Sequence, residues 1–199
     1  MAKPRIRDPE RKARILAAAA RLGSRRGFHA ISMADIGAEA GIVGSGIYRH
    51  FDSKTAILVA MLDQVMDRLA RRTAAVLAAG GTDAQTLSHL VRDHIEVALR
   101  HRDVLAVYHF ELHTLPDSDR RRLRRGERHY IEDWVHPLGS LRPDLADPEL
   151  RLAVHAAISA IQSTLFFRSG LPEDRLAQLL ETMAHGCLGT ISEHELTNA

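Results

Sequence analysis

The sequence predicts an all-α protein, with a three-helix helix-turn-helix head followed by a six-helix bundle. Three observations carry this reading. Apolar residues recur at three- and four-residue spacing almost end to end. Alternating β-branched runs are absent, and capping or breaking residues punctuate the pattern at helix-length intervals.

Asp8, Pro9 and Glu10 open the first helix, whose stripe Ile15, Ala19 and Leu22 runs to a stop at Gly27. Ser32 caps a second, Met33 to Ala40, with Asp35 and Glu39 outside, and Gly41 breaks it. The stretch AGIVGSGIYRHFDSK, residues 40–54, supplies a short third helix ending near Phe51. Ser53 caps a long fourth one, apolar at Ile57, Leu58, Met61, Leu62, Val65, Leu69 and Val76 until Gly80-Gly81. Leu87, Val91 and Ala98 mark a fifth, with His94 on the same face, and Leu105, Tyr108 and Leu112 a sixth, closed near Pro116. Leu123, Tyr130, Trp134 and Leu138 mark a seventh, followed by a loop at residues 139–147. Val154, Ile158, Ile161 and Leu165 give an eighth, and Leu176, Leu180, Met183, Cys187 and Ile191 a ninth. A head over residues 1–54 and a body over 55–199 follow, joined stiffly because the fourth helix starts so soon after the third.

The chain has 199 residues, 45% hydrophobic and 26% charged, ordinary for a globular protein that can bury a substantial core. No apolar run reaches the roughly 18 residues of a membrane span, and no signal-peptide segment opens the chain. Cys187 is the single cysteine, which excludes an internal disulfide and leads us to expect a cytoplasmic protein. Charge is uneven: residues 1–55 hold 11 Lys+Arg against 5 Asp+Glu, and the remainder 16 against 20. A basic head on an acidic body points the head towards a polyanion.

Two short helices around Gly41 read as a helix-turn-helix, a device that lays its second helix in the DNA major groove, about 12 Å wide. Gly44 and Gly46 weaken that helix by roughly 1 kcal/mol each, but they allow close approach to base edges. Tyr48, His50 and Lys54 can donate to phosphate oxygens, fixing register without reading sequence. Arg49 is long enough to pair with guanine, or with phosphate.

Residues from about Arg14 to Leu62 resemble the N-terminal domain of TetR-family transcriptional repressors. The resemblance is carried by ILAAAARLGSRRGFHAISMADIGAEAGI, then IYRHF, then SK before an apolar helix. It implies that Ser32 contacts phosphate, that Gly44, Ser45, Gly46 and Arg49 face base edges, and that Tyr48, His50 and Lys54 hold the backbone. Lys3, Arg5 and Arg7 would add an arm. One departure is Val43, which cannot cap the reading helix where the family has Ser or Thr, so Ser45 takes that place.

For the body, the resemblance implies a ligand chamber among the fourth to seventh helices. Its wall would be Met61, Val65, Leu69, Leu87, Val91, His94, Leu105, Tyr108, Leu112, Tyr130 and Trp134. His94 is either a core histidine satisfied by a carbonyl or a hydrogen-bonding ligand contact. The apolar lining suits an acyl thioester, lipid or steroid-like effector, with the fourth helix as transmitter. Small residues on the last two helices allow close helix approach, which serves either a dimer interface or a simple cover over the core. The resemblance implies a homodimer interface, at Ala153, Ala157, Ile161, Leu180, Met183, Ala184 and Cys187. The expected protein is therefore a repressor that binds a palindromic double-stranded DNA operator as a homodimer and is released by a small molecule, with no membrane partner.

Competing readings are weaker. His109 and His113 flank Glu111 at metal-compatible spacing, with His101 nearby, but no cysteine joins them. Arg120 to Arg128 is a second basic run, flanked by Asp117 and Asp119 and interrupted by Glu127, as on a solvated face. Ser163 and Cys187 lack an activating neighbour in sequence, so an enzyme is not expected. Nothing implies a cofactor. The alternative to a regulator is a helical small-molecule binder or enzyme without a DNA target.

Overall fold

The computed structural model describes residues 9–42 and 44–190. Among them are eight α-helices and no strand: α1 Pro9–Arg26, α2 Met33–Glu39, α3 Lys54–Ala79, α4 Asp83–Arg100, α5 Arg102–Glu111, α6 Asp117–Leu141, α7 Asp147–Gln162 and α8 Glu173–Leu188. The third expected helix is instead a 3₁₀ turn, Gly44–Arg49. Two glycines in six residues undercut α-helix propensity, and a segment this short readily takes the tighter form. Lys3, Arg5, Arg7, Asp8, Val43 and Ile191 lie outside the described residues.

The described residues divide into two units. One holds those up to Gln64 together with Asp103–Arg120, the other Val65–Arg102 together with those from Arg121 onward. The division falls inside α3, and Lys54–Ala79 is one uninterrupted helix of 26 residues.

In the first unit α1 buries Ile15, Ala18 and Ala19, and α2 buries Ile36. α5 joins this unit through named bonds. Ser24 Oγ donates to Asp103 Oδ1 at 2.8 Å. The Phe28 N–H donates to Glu111 Oε1 at 3.1 Å, so a largely buried carboxylate answers the backbone just past α1. Val107 sits so close to Gly23 that a Cβ there would lie 3.0 Å from Val107 Cγ2.

In the second unit α7 and α8 pack along their lengths and α4 lies against both. Leu87 and Val91 on α4, Trp134 and Leu138 on α6, Ile161 on α7 and Leu188 on α8 are essentially inaccessible. Thr82 and Gln85 cap α4 reciprocally. Arg72 on α3 reaches both Asp93 and Glu96 on α4. α6 continues through Pro137 to Leu141, so the expected loop at 139–147 starts only at Arg142. The Arg142 guanidinium pairs with Asp144 at 2.8 and 2.6 Å and reaches the Leu188 and Gly189 carbonyls at the end of α8.

Candidate nucleic-acid interface and buried polar cluster

The helix-turn-helix is assembled by caps. Ser32 Oγ accepts the Asp35 N–H at 3.1 Å, and Asp35 Oδ2 accepts the Ser32 N–H at 2.8 Å and its hydroxyl at 2.6 Å. These bonds favour the charged carboxylate and hold Asp35 below its ordinary pKa. Ser32 is thereby the cap of α2, and its exposed hydroxyl, already donating to Asp35, meets a phosphate only by exchanging that partner.

At the other end, the Ile42 N–H bonds Gly37 O at 2.8 Å and the Gly41 N–H bonds Ala38 O at 3.1 Å, a left-handed helix terminus. Gly41 has φ +67°, which side-chain-bearing residues adopt only under strain. The turn then delivers Gly44–Arg49 with Ile47 and Phe51 buried as anchors.

What faces outward differs in part from expectation. Ser45, Tyr48 and Arg49 are exposed, Tyr48 to 56%, and His50 is half-buried. Gly46 owes its missing side chain to the inside, since a Cβ would stand 2.8 Å from Ile42 Cγ2. Its glycine is needed for packing against the turn. Gly44 belongs to the same 3₁₀ turn.

Lys54 also has an internal role. Its ammonium donates to His29 O at 2.9 Å and Ile31 O at 2.8 Å, and lies 5.7 Å from the centre of the Phe28 ring. Two of its three protons brace the loop between α1 and α2, leaving one for a phosphate. Lys12, which sequence reasoning did not single out, lies 5.2 Å from the centre of the Phe51 ring, a cation on the rim of the reading turn.

The expected chamber wall divides between the units. Met61 and Leu105 are buried in the first, where Tyr108 and Leu112 are half-buried. Val65, Leu69, Leu87, Val91, His94, Tyr130 and Trp134 are buried in the second. There the polar groups converge. His94 Nδ1 lies 2.8 Å from Tyr130 Oη, and Gln162 Nε2 lies 3.5 Å from His94 Nε2. The Trp134 ring meets the His94 ring edge-on, with centroids 6.0 Å apart. Burial disfavours every charged form here: His94 falls to about 4, and the Tyr130 phenol rises well above its ordinary value. Both reagents are neutral across physiological pH. His94 thus has a protein partner, which sequence could not supply because Tyr130 and Gln162 lie 36 and 68 residues away.

Of the expected interface residues, Ala157, Ile161, Leu180 and Ala184 are buried within the chain, in the seam between α7 and α8. Ala153 is half-buried, while Met183 and Cys187 are exposed. The outward apolar surface adds Leu152, at 70% exposure, Phe166 and Phe167, none of which was expected. Among the metal candidates, the Glu111 carboxylate is engaged by the Phe28 N–H, and the His109 ring meets Phe110 edge-on at 5.3 Å. No group of three His, Cys, Asp or Glu among the described residues is placed to hold an ion. Arg120, in the second basic run, pairs with Asp117. No described helix is long and apolar enough to cross a membrane.

Comparison with known proteins agrees with this geometry. Residues 15–61 match the model of bacterial regulatory proteins of the tetR family. The transcriptional repressor KstR2 of Rhodococcus jostii is 31% identical over 147 residues, 70% of this chain and 72% of that protein. The chain belongs to the TetR family. Its fold is that of a TetR-family regulator from Bordetella parapertussis, with TM-score 0.80 and 25% identity over 90% of this chain and 95% of that one. It also matches the ketosteroid transcriptional regulator KstR2 of Mycobacterium tuberculosis, with TM-score 0.77 and 23% identity over 97% of this chain and the whole of that one. As a TetR-family member it is a DNA-binding transcriptional regulator and not an enzyme.

Proposed function

We propose that this regulator is a repressor which binds a palindromic operator as a homodimer and is released by an apolar small molecule. The observation that carries the reading is the reading turn itself. Ile47 and Phe51 fix it from beneath, while Tyr48 and Arg49 stand exposed with no hydrogen bond or ion pair among the described residues. In this reading Tyr48, His50, Ser32 and the remaining proton of Lys54 hold phosphates, and Ser45 and Arg49 meet base edges.

Two such turns double the contact, so the homodimer belongs to the same proposal. Its face is revised to the exposed residues Leu152, Phe166, Met183 and Cys187, with Ala156, Ser159 and Gly186 on the same outward sides of α7 and α8. The effector lies against Leu87, Val91, His94, Tyr130 and Trp134, and a shift of α3 transmits its arrival. Steroid-like and acyl compounds suit this lining, and the relatives' names, a repressor and a ketosteroid regulator, support both halves of the proposal.

Nuclease protection of the DNA upstream of the protein's own gene tests it. The expected result is a protected two-fold symmetric site that reopens when a saturating steroid ketone is added. Protection without symmetry would remove the dimer. Full protection at every concentration of steroid ketones and acyl thioesters would remove the effector class.

A further inference from the structure

On α6 the second basic run is less balanced than its sequence suggests. Residues 121–128 hold five arginines against Glu127 alone. Asp117 and Asp119, ahead of the run, both have partners, Arg120 for the first. Glu127 falls at four-residue steps between the buried Leu123 and Ile131 and is itself half-buried, so it stands off the arginine face. The next acid along that face, Glu132, is held by Arg151 of α7 at 2.6 and 3.0 Å.

Arg121, Arg125 and Arg128 follow at i, i+4 and i+7 and form one ridge, with Arg124 beside it. All four are exposed, and Arg124, Arg125 and Arg128 have no hydrogen bond or ion pair among the described residues. Elsewhere the chain sets an arginine one turn from an acid, Arg100 from Glu96 and Arg151 from Asp147. Here arginine stands one turn from arginine, at 121 and 125 and again at 124 and 128. Like charges at that spacing destabilise a helix, and a face that only needs water is served as well by mixed signs.

The charge is also concentrated. Five of the sixteen Lys+Arg in residues 56–199 lie in these eight positions, on a body that is acidic in total. At 1.5 Å of rise per residue the ridge is about 10 Å long, enough to meet two or three phosphates of one strand. Arginine suits that contact, because its planar fork matches phosphate oxygens and stays charged.

We propose that this ridge is a second surface for the phosphate backbone of duplex DNA, adding affinity without reading sequence. Such a surface needs neither operator symmetry nor an effector, only the DNA binding shared across the family.

The test uses the full chain with Arg124, Arg125 and Arg128 all changed to glutamine, a good helix former, beside the same three changed to lysine. Binding is read across salt concentrations on two labelled duplexes, the protein's own upstream sequence and a shuffled one. Labelled polyglutamate and phosphatidylglycerol vesicles serve as the other anions. The glutamine variant is expected to lose about tenfold or more on both duplexes alike. Its slope of log affinity against log salt is expected to be shallower by about 2–3, while the lysine variant keeps the original slope. Thermal stability of the glutamine variant is expected to hold or rise, since repulsion is removed, which separates lost contact from lost fold.

Unchanged affinity and slope on both duplexes would overturn the proposal. So would a loss confined to the upstream duplex, which would make the arginines readers of sequence, or a slope lost equally in the lysine variant. Tighter binding of the unaltered chain to polyglutamate or to the vesicles than to the shuffled duplex would assign the ridge to another partner. An asymmetric or effector-insensitive operator would leave the result standing.

Discussion

In the unit that carries the helix-turn-helix, polar groups are answered at close range. Glu111 takes the Phe28 N–H, Asp103 takes the Ser24 hydroxyl, Ser32 and Asp35 cap each other, and Lys54 fills two carbonyls. In the second unit, His94, Tyr130 and Gln162 gather into one buried group, with His94 and Tyr130 held neutral by desolvation. The contrast separates polar groups spent as caps and braces on the turns that shape a surface from polar groups buried together in an interior.

The largest expected effect is in the second unit and depends on pH. His94 is held neutral, its pKa lowered from 6.5 to about 4 by burial. As pH falls below 6.5 the unfolded chain takes up a proton that the folded one refuses, so stability is lost down to about pH 4 and is unaffected by this group above 6.5. The integrated loss is about 3 kcal/mol. Chemical denaturation from pH 7 to 4.5 should show it, and a His94→Asn variant should lack that part of the slope. A parallel slope in both proteins would mean that His94 is not isolated as described.

Next comes the head. Glu111→Ala leaves the Phe28 N–H buried without its acceptor and should cost about 1–3 kcal/mol. Glu111→Gln, which keeps an acceptor oxygen, should recover most of it in the same denaturation assay. Gly41→Ala should cost about 1–2 kcal/mol through its left-handed backbone and lower operator affinity in proportion. Equal stability in both Glu111 variants would show that the bond to Phe28 contributes nothing.

The smallest effect falls on recognition itself. Arg49→Ala should lose about 1–3 kcal/mol at the specific site and much less on unrelated duplex if it reads a base. A uniform loss on all sequences would make it a phosphate contact. In either case thermal stability should not move, since Arg49 is exposed and bonds nothing among the described residues.

The sequence made the helix-turn-helix legible because its signals are local. A capping serine, a glycine that breaks the second helix and an aromatic at helical spacing act within one turn of the chain. What it hid acts at a distance or depends on rotation. Lys54 meets carbonyls 23 and 25 residues back. Gly46 is required by the position of one methyl group of Ile42, which no spacing rule contains. On α8, Leu180, Ala184 and Leu188 turn inward while Met183 and Cys187 turn out. One apolar stripe in sequence thus serves two faces, because a three-residue step and a four-residue step diverge by about 100°. The family match covers residues 15–61, where function is tied to shape, and the buried cluster lies beyond it.

The most direct measurement is fluorescence anisotropy of the purified chain against its own upstream duplex and a shuffled one, repeated across salt concentrations. Two chains per site are expected, with at least about a thousandfold preference for the native sequence. Affinity is expected to fall linearly in log salt as phosphate contacts are released. Equal affinity for both duplexes, or no binding to either in dilute buffer, would contradict it.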